Sequence, residues 1–263
     1  MALQIIMIGD VVGETGLRAL EKKLPDLIGR HGADFTVVNG ENAAAGFGLT
    51  EETLDRILAA GADVVTGGNH IWEKRDFWPV LNGGKPVLRP ANYPCIEGIP
   101  GRGWMRLTKG DRSCVVVNLQ GREQMRLIDC PFRCFDQIYR ELSPDAASCC
   151  PLVVDFHAES TREKETLGYY LDGRAGIVAG THTHVQTADE RILPRGTAYI
   201  SDLGMTGSKN SIIGMDIKIC LDRARTQIPY RMECSADPAL TIQGIAVTLE
   251  EKALAITRIN LCS

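Results

Sequence analysis

A chain of 263 residues, 44% of them hydrophobic, is long enough to bury a sizeable core, and this composition excludes wholesale disorder. A formal net charge of -4 excludes a general electrostatic pull on duplex nucleic acid or anionic lipid, so a small anionic substrate needs local positive charge, which metal ions would supply. No run reaches the roughly 18 continuous apolar residues of a membrane span, and the nine cysteines, Cys130 and Cys134 or Cys149 and Cys150 among them, lack repeating zinc-type spacing and read as reduced thiols of a cytoplasmic protein.

The N-terminal MALQIIMIGD lacks a basic flank and a cleavage-like stretch. Residues 4–8 therefore predict a strand, not a signal peptide, and it ends in Gly9-Asp10. Leu17, Leu20, Leu24, Leu27 and Ile28 stand at helical spacing, and Pro25 is expected to break or kink that helix. His31 reads as a surface or C-terminal capping residue. Residues 35–38 form the next apolar run, ending in Asn39-Gly40-Glu41-Asn42. Thr50 predicts a cap, with Glu51 and Glu52 in the first turn of a helix whose apolar face carries Leu54, Ile57 and Leu58. Residues 63–66 run into Gly67-Gly68-Asn69-His70.

Later segments repeat the design. Residues 115–117 lead to Asn118, and residues 152–154 lead to Asp155-Phe156-His157. Ser160-Thr161-Arg162-Glu163 predicts a capping box at the start of a helix. Residues 176–180 lead to Thr181-His182-Thr183-His184, and residues 198–200 lead to Ser201-Asp202-Leu203-Gly204. Residues 245–259 alternate around Glu250-Glu251-Lys252, the pattern of a hairpin. No repeat or linker divides the chain, which reads as a single domain over residues 1–263. Apolar runs alternating with helices predict an α/β fold with a largely parallel sheet covered on both faces. Ligands bind such sheets at the carboxyl ends of the strands, and five runs here end in a residue able to bind metal, all expected on one edge.

The donor types are mixed. Asp10 and Glu41 are hard anionic oxygens, Asn42 and Asn69 are neutral amides, and His157, His182 and His184 are imidazoles. That mixture suits Mn, Fe, Zn or Co better than Ca. A carboxylate such as Glu41 can bridge two cations, and a pair about 3.5–4 Å apart can hold a hydroxide and clamp phosphoryl oxygens. His182 and His184, two apart, would point the same way on a strand or extended loop, so each could ligate a different metal. Each piece alone has a plainer reading: Asp10 as a cap, Asn69-His70 as turn chemistry, Glu41 and Asn42 as solvated loop, His157 as a hydrogen-bonded core histidine. Their concentration favours a site, because four of the five histidines fall at predicted strand ends.

In order, Gly9-Asp10, Asn39-Gly40-Glu41-Asn42, Gly68-Asn69-His70, His157 and Gly180-Thr181-His182-Thr183-His184 resemble the calcineurin-like metallophosphoesterases, most closely the YmdB-like branch with its cyclic-nucleotide phosphodiesterase activity. The resemblance runs from Ile5 to about Gly214; Asp155-Phe156-His157-Ala158-Glu159 and Asp202-Leu203-Gly204-Met205-Thr206-Gly207 add to it. It implies layered sheets flanked by helices, with two divalent metals at the strand ends, Fe or Mn first and Zn or Co as alternatives. Metal one would take Asp10, Glu41, Asn42 and His184. Metal two would share Glu41 and add Asn69, His157 and His182. His70 would stand beside them as the catalytic residue, and a hydroxide bridging the metals would attack a small phosphodiester or cyclic nucleotide.

The pattern departs from the wider superfamily at Val12, which stands where that superfamily has a ligand His, and at Glu41, which replaces an Asp. Ile71 follows the Asn-His pair in place of an acid, and residues 208–211 lack an expected Pro and Asp. The resemblance also allows a homo-oligomer. Gly46-Phe47-Gly48 could be a lid, with Phe47 or Trp72 stacking on a base or packing in the core. Arg89, Arg122 and Lys74 are candidate phosphate contacts or solvated surface residues. Two other readings compete: a broader phosphatase or nuclease with the same metals, and a metal-binding regulatory protein with little turnover. No stripe of basic and aromatic residues favours a nuclease, and no GxGxxG, P-loop or GxSxG motif is present.

Overall fold

The apolar runs become short strands of two stacked sheets in the computed structural model, which describes residues 2–94, 96–142 and 150–262; Cys149 lies outside them. In chain order the strands are β1 (Leu3–Ile8), β2 (Asp10–Val11), β3 (Phe35–Asn39), β4 (Val64–Thr66), β5 (Trp104–Lys109), β6 (Arg112–Gln120), β7 (Leu152–His157), β8 (Ile177–Thr181), β9 (Arg191–Ile192), β10 (Ala198–Ile200), β11 (Met205–Ser208), β12 (Leu240–Leu249) and β13 (Ala253–Cys262). The larger sheet runs β2-β11-β12-β1-β3-β4, with β13 paired to β12; the second runs β5-β6-β7-β8-β10-β9. Each sheet holds a parallel run, β1-β3-β4 on one side of the first and β6-β7-β8-β10 in the second. The largely parallel sheet read from the apolar runs is thus divided between two, which gives the layered sheets flanked by helices that the resemblance implies, and antiparallel partners are added: β12 beside β1, and β5 and β9 at the edges of the second sheet.

The division explains the uninterrupted apolar runs, because both faces of the central strands are buried. Ile5, Met7, Phe35 and Val37 meet Val116, Val153, Ile177 and Ile200 between the sheets. Ile6, Ile8 and Val38 face Leu17, Leu20 and Leu24 of the helix Gly13–His31. Val117, Val154 and Phe156 pack under Phe135 of the helix Pro131–Glu141 and Leu167 of the helix Thr161–Leu171. Burying a side chain such as Phe35, which has no exposed surface, favours the fold by roughly 1.5–3 kcal/mol.

The first helix continues through Pro25 and does not break. Pro25 is on the exposed side, where water can satisfy the carbonyl left without its partner. Thr50 caps the helix Glu51–Ala59 as expected, and its hydroxyl accepts from the Thr53 amide. Thr50→Ala is expected to cost about 1 kcal/mol, seen as a lower urea midpoint with an unchanged m-value. Ser160 also caps its helix, at 3.3 Å from the Glu163 amide, but the box does not close. The Glu163 carboxylate instead accepts from the amides of Arg122 and Glu123. The predicted hairpin is β12-β13. Cys114, Cys130, Cys134, Cys150, Cys220, Cys234 and Cys262 are free thiols. Among the described residues no helix is long and apolar enough to cross a membrane.

Candidate metal centre

Strand alternation sets up the site. Along β7, Val153 faces the other sheet, Val154 faces the helices, and Asp155 faces the other sheet again. Asp155 is buried among groups from three other strands. Its Oδ2 accepts from Asn39 Nδ2 at 3.1 Å and from the Thr66 hydroxyl, and its Oδ1 accepts from the Thr181 hydroxyl at 2.7 Å. Beside it, Asn118 Oδ1 accepts from the Gly67 amide. This polar layer joins the two sheets just where their strands end. Burial pushes the Asp155 carboxyl above its ordinary pKa.

The sequence-selected donors converge on this layer. His157 Nε2 lies 3.0 Å from Glu41 Oε1, 3.0 Å from Asn69 Oδ1 and 3.0 Å from His182 Nδ1. His184 Nε2 lies 3.1 Å from Asn42 Nδ2 and 3.7 Å from Asp10 Oδ1. Asn42 Nδ2 also faces Asp10 Oδ1 and Glu41 Oε1. Asp10, Glu41 and His157 are fully buried. All seven expected ligands are therefore brought together; among the described residues Glu41, His157 and His182 offer donor atoms that all lie within 4.8 Å of one another.

The other nitrogen of each ring is occupied. His157 Nδ1 is 3.0 Å from Thr181 Oγ1. Thr181 gives its only proton to Asp155, so its oxygen accepts from His157 Nδ1, and Nε2 is the ring nitrogen that a metal would take in place of a proton. His182 Nε2 meets Glu159 Oε2 at 3.1 Å, and His184 Nδ1 donates to the Ile213 carbonyl at 2.8 Å. Such outer partners fix the tautomer and orientation of metal-binding histidines.

The donor set fits divalent metal. Carboxylate oxygens and imidazole nitrogens face one another, and Gly68 keeps the space between them open: a Cβ there would overlap Glu41 Oε2 and His157 Nε2. Burial raises the Asp10 carboxyl to about 6, with His184 and His157 opposing it. Burial also acts on Glu41 and His157, but their mutual attraction prevails; Glu41 is held below the usual carboxylate range and His157 above the usual imidazole range. Burial and the charge on His157 push His182 down to about 3.

His70 stands outside the cluster. Its amide donates to Glu41 Oε2 at 3.2 Å, its Nδ1 is 3.4 Å from Glu73 Oε1, and its ring meets Phe47 edge-on at 5.1 Å. The side chain is 28% exposed, so a substrate can reach it. Trp72 packs edge-on against Trp78 and Tyr93. Arg89 donates to the carbonyls of Pro90, Ala91 and Pro100, and the Arg122 guanidinium contacts Cys130 Sγ, which gives both structural partners. Lys74 lies under Gly48, next to the His70 carbonyl. Val12 is fully buried against Met205 and Met215, so core packing occupies the position of the absent His. Residues 208–211 lead to Ile213, whose carbonyl holds His184.

The sequence reading assigned no role to Asp155, Thr181, Glu159 or Asp202. Their signal in the sequence is membership of the strand-end segments that carry the resemblance, which names no role for them.

A model of the YmdB-like protein family matches residues 6–261. The chain is 43% identical over 261 residues to a 2',3'-cyclic-nucleotide 2'-phosphodiesterase of Bacillus subtilis strain 168, covering 98% of this chain and 96% of that one. It superposes on the crystal structure of a hypothetical protein from Thermus thermophilus with a TM-score of 0.92 at 39% identity, covering 99% and 100% of the two chains. The crystal structure of a novel phosphatase from Mycoplasma pneumoniae gives 0.91 at 29% identity, covering 100% and 94%.

Proposed function

The chain belongs to the YmdB-like protein family, and from that premise we propose that it is a metal-dependent phosphodiesterase acting on small phosphodiesters, 2',3'-cyclic nucleotides foremost. The observation that carries this reading is the convergence of seven donor side chains whose outer ring nitrogens are already occupied. Asp10, Glu41, Asn42 and His184 would hold one ion; Glu41, Asn69, His157 and His182 would hold the other. Fe or Mn are the first choices and Zn or Co the alternatives, by the mixed donor chemistry. When bound, such ions supply Lewis acidity to phosphoryl oxygens and lower the pKa of water.

The remaining work falls to the chain's own residues. His70, reachable from solvent and braced by Phe47 and Glu73, donates a proton to the departing 2' oxygen as general acid. Water adds its oxygen to phosphorus as the bond to the 2' oxygen breaks, and the product keeps its phosphate on the 3' oxygen. Burial of the donors excludes bulk water and strengthens every electrostatic contact with the phosphate. Residues 1–263 are read as one domain, because the two sheets share a core. A cytoplasmic setting accords with the free thiols.

The test is hydrolysis of bis(p-nitrophenyl) phosphate and of 2',3'-cyclic AMP by metal-loaded and chelated protein. Metal-dependent turnover that yields the 3'-monophosphate is expected. A folded protein inert on both substrates with Mn, Fe, Zn and Co would sink the reading and favour a metal-binding regulator.

A further inference from the structure

Lys164 Nζ and Asp202 Oδ2 form an ion pair of 2.7 Å with both side chains only 2% exposed. A buried pair of this kind is often no more stabilising than two apolar residues of the same volume, so its presence calls for another account. The same Asp202 oxygen accepts from the Thr183 amide at 3.1 Å and the Thr183 hydroxyl at 2.8 Å, and Oδ1 accepts from the Gly204 amide at 2.9 Å. Thr183 separates His182 from His184, and both histidines have left-handed backbone, φ 104° and 62°. Residues other than glycine avoid that region, and they stay there when surrounding contacts over-determine them.

The strain has a geometric result. Extended backbone would set two histidines two residues apart side by side on one face, pointing the same way. The left-handed turn instead sends His182 Nδ1 toward His157 and His184 Nε2 toward Asp10 and Asn42. β8 and β10 approach so closely at Gly180 that a Cβ there would overlap the Ser201 carbonyl, and this contact brings Asp202 beneath the turn.

We propose that Asp202, with Lys164 as its counter-ion, is a positioning residue that holds the 181–184 turn so that its two histidines serve different metals. The inference rests on the metal reading above.

Cobalt(II) tests it without turnover. Asp202→Asn and the double variant Lys164→Met/Asp202→Asn, which leaves no unpaired buried ammonium, are compared with wild type. The measurements are chelator competition and the visible cobalt spectrum, made below each protein's Tm. A tenfold or greater loss of cobalt affinity and an altered spectrum are expected in folded protein. Thr183→Val, which removes only the hydroxyl bond, should shift both in the same direction by less, and it decides the matter if the double variant does not fold. Wild-type affinity and spectrum in the deciding variant overturn the proposal. Wild-type protein that binds no cobalt overturns the metal reading itself, and this inference with it.

Discussion

Replacing His70 with alanine is expected to lower kcat on a 2',3'-cyclic nucleotide by about 10²–10⁴-fold while leaving the metal content unchanged. The backbone amide that donates to Glu41 survives the substitution. The side chain meets Phe47 and Glu73, and its link to Glu41 is a favourable charge and not a hydrogen bond from the ring, so its removal leaves the hydrogen bonds among the seven donors in place. The loss should also depend on the leaving group. A p-nitrophenolate departs without needing a proton, so turnover of bis(p-nitrophenyl) phosphate should fall much less than turnover of the cyclic nucleotide. Equal losses on the two substrates would contradict a proton-donor role, and loss of metal would mean that His70 belongs to the binding set.

Asp155→Asn should weaken metal binding by about 10–100-fold although Asp155 touches no metal position. The Asn oxygen can replace Oδ2 as acceptor for Thr66 and Asn39. Its NH₂ must then face Thr181, which currently donates to Oδ1. The Thr181 oxygen now accepts from that amide, and its hydrogen turns toward His157 Nδ1. His157 has to carry its proton on Nε2, the nitrogen that faces Glu41 and Asn69. A protonated nitrogen has no lone pair for a metal. Nitrogen-15 spectra of the His157 ring would show the exchanged tautomer, and chelator competition would show the affinity. Wild-type affinity in folded Asp155→Asn protein would rule the relay out.

These two residues mark the boundary of what the sequence makes legible. His70, Glu41, Asn69 and His184 could be picked out because each ends an apolar run, and strand ends of a parallel sheet gather on one edge. Asp155 and Thr181 lie at the ends of β7 and β8 as well, but their importance is a contact between strands. Nothing in the order of residues says that one threonine proton is committed to one carboxylate. The Lys164–Asp202 pair was hidden for the same reason, since a Lys within a helix sequence reads as a solvated residue. Glu163 had a local motif that pointed to a capping box, yet tertiary amides at Arg122 and Glu123 took its carboxylate. Pro25 misled in the opposite direction, because its effect depends on which side of the helix faces water.

β12 lies between β11 and β1 in the larger sheet, in register from Leu3 opposite Leu249 to Ile8 opposite Gly244. Pairing at such sequence separation is slow to form, because most of the loop must close before any contact rewards it. β1 is made before β12 and all the strands between them, so the edge beside β1 stays unpaired while those strands are synthesised. Asp10 follows that strand directly, and the Gly9 amide just before it donates to the Gln243 carbonyl of β12 at 2.9 Å. A truncation within β12 therefore removes an interior strand of the sheet, together with the partner that braces the backbone leading into Asp10, and not a dispensable tail.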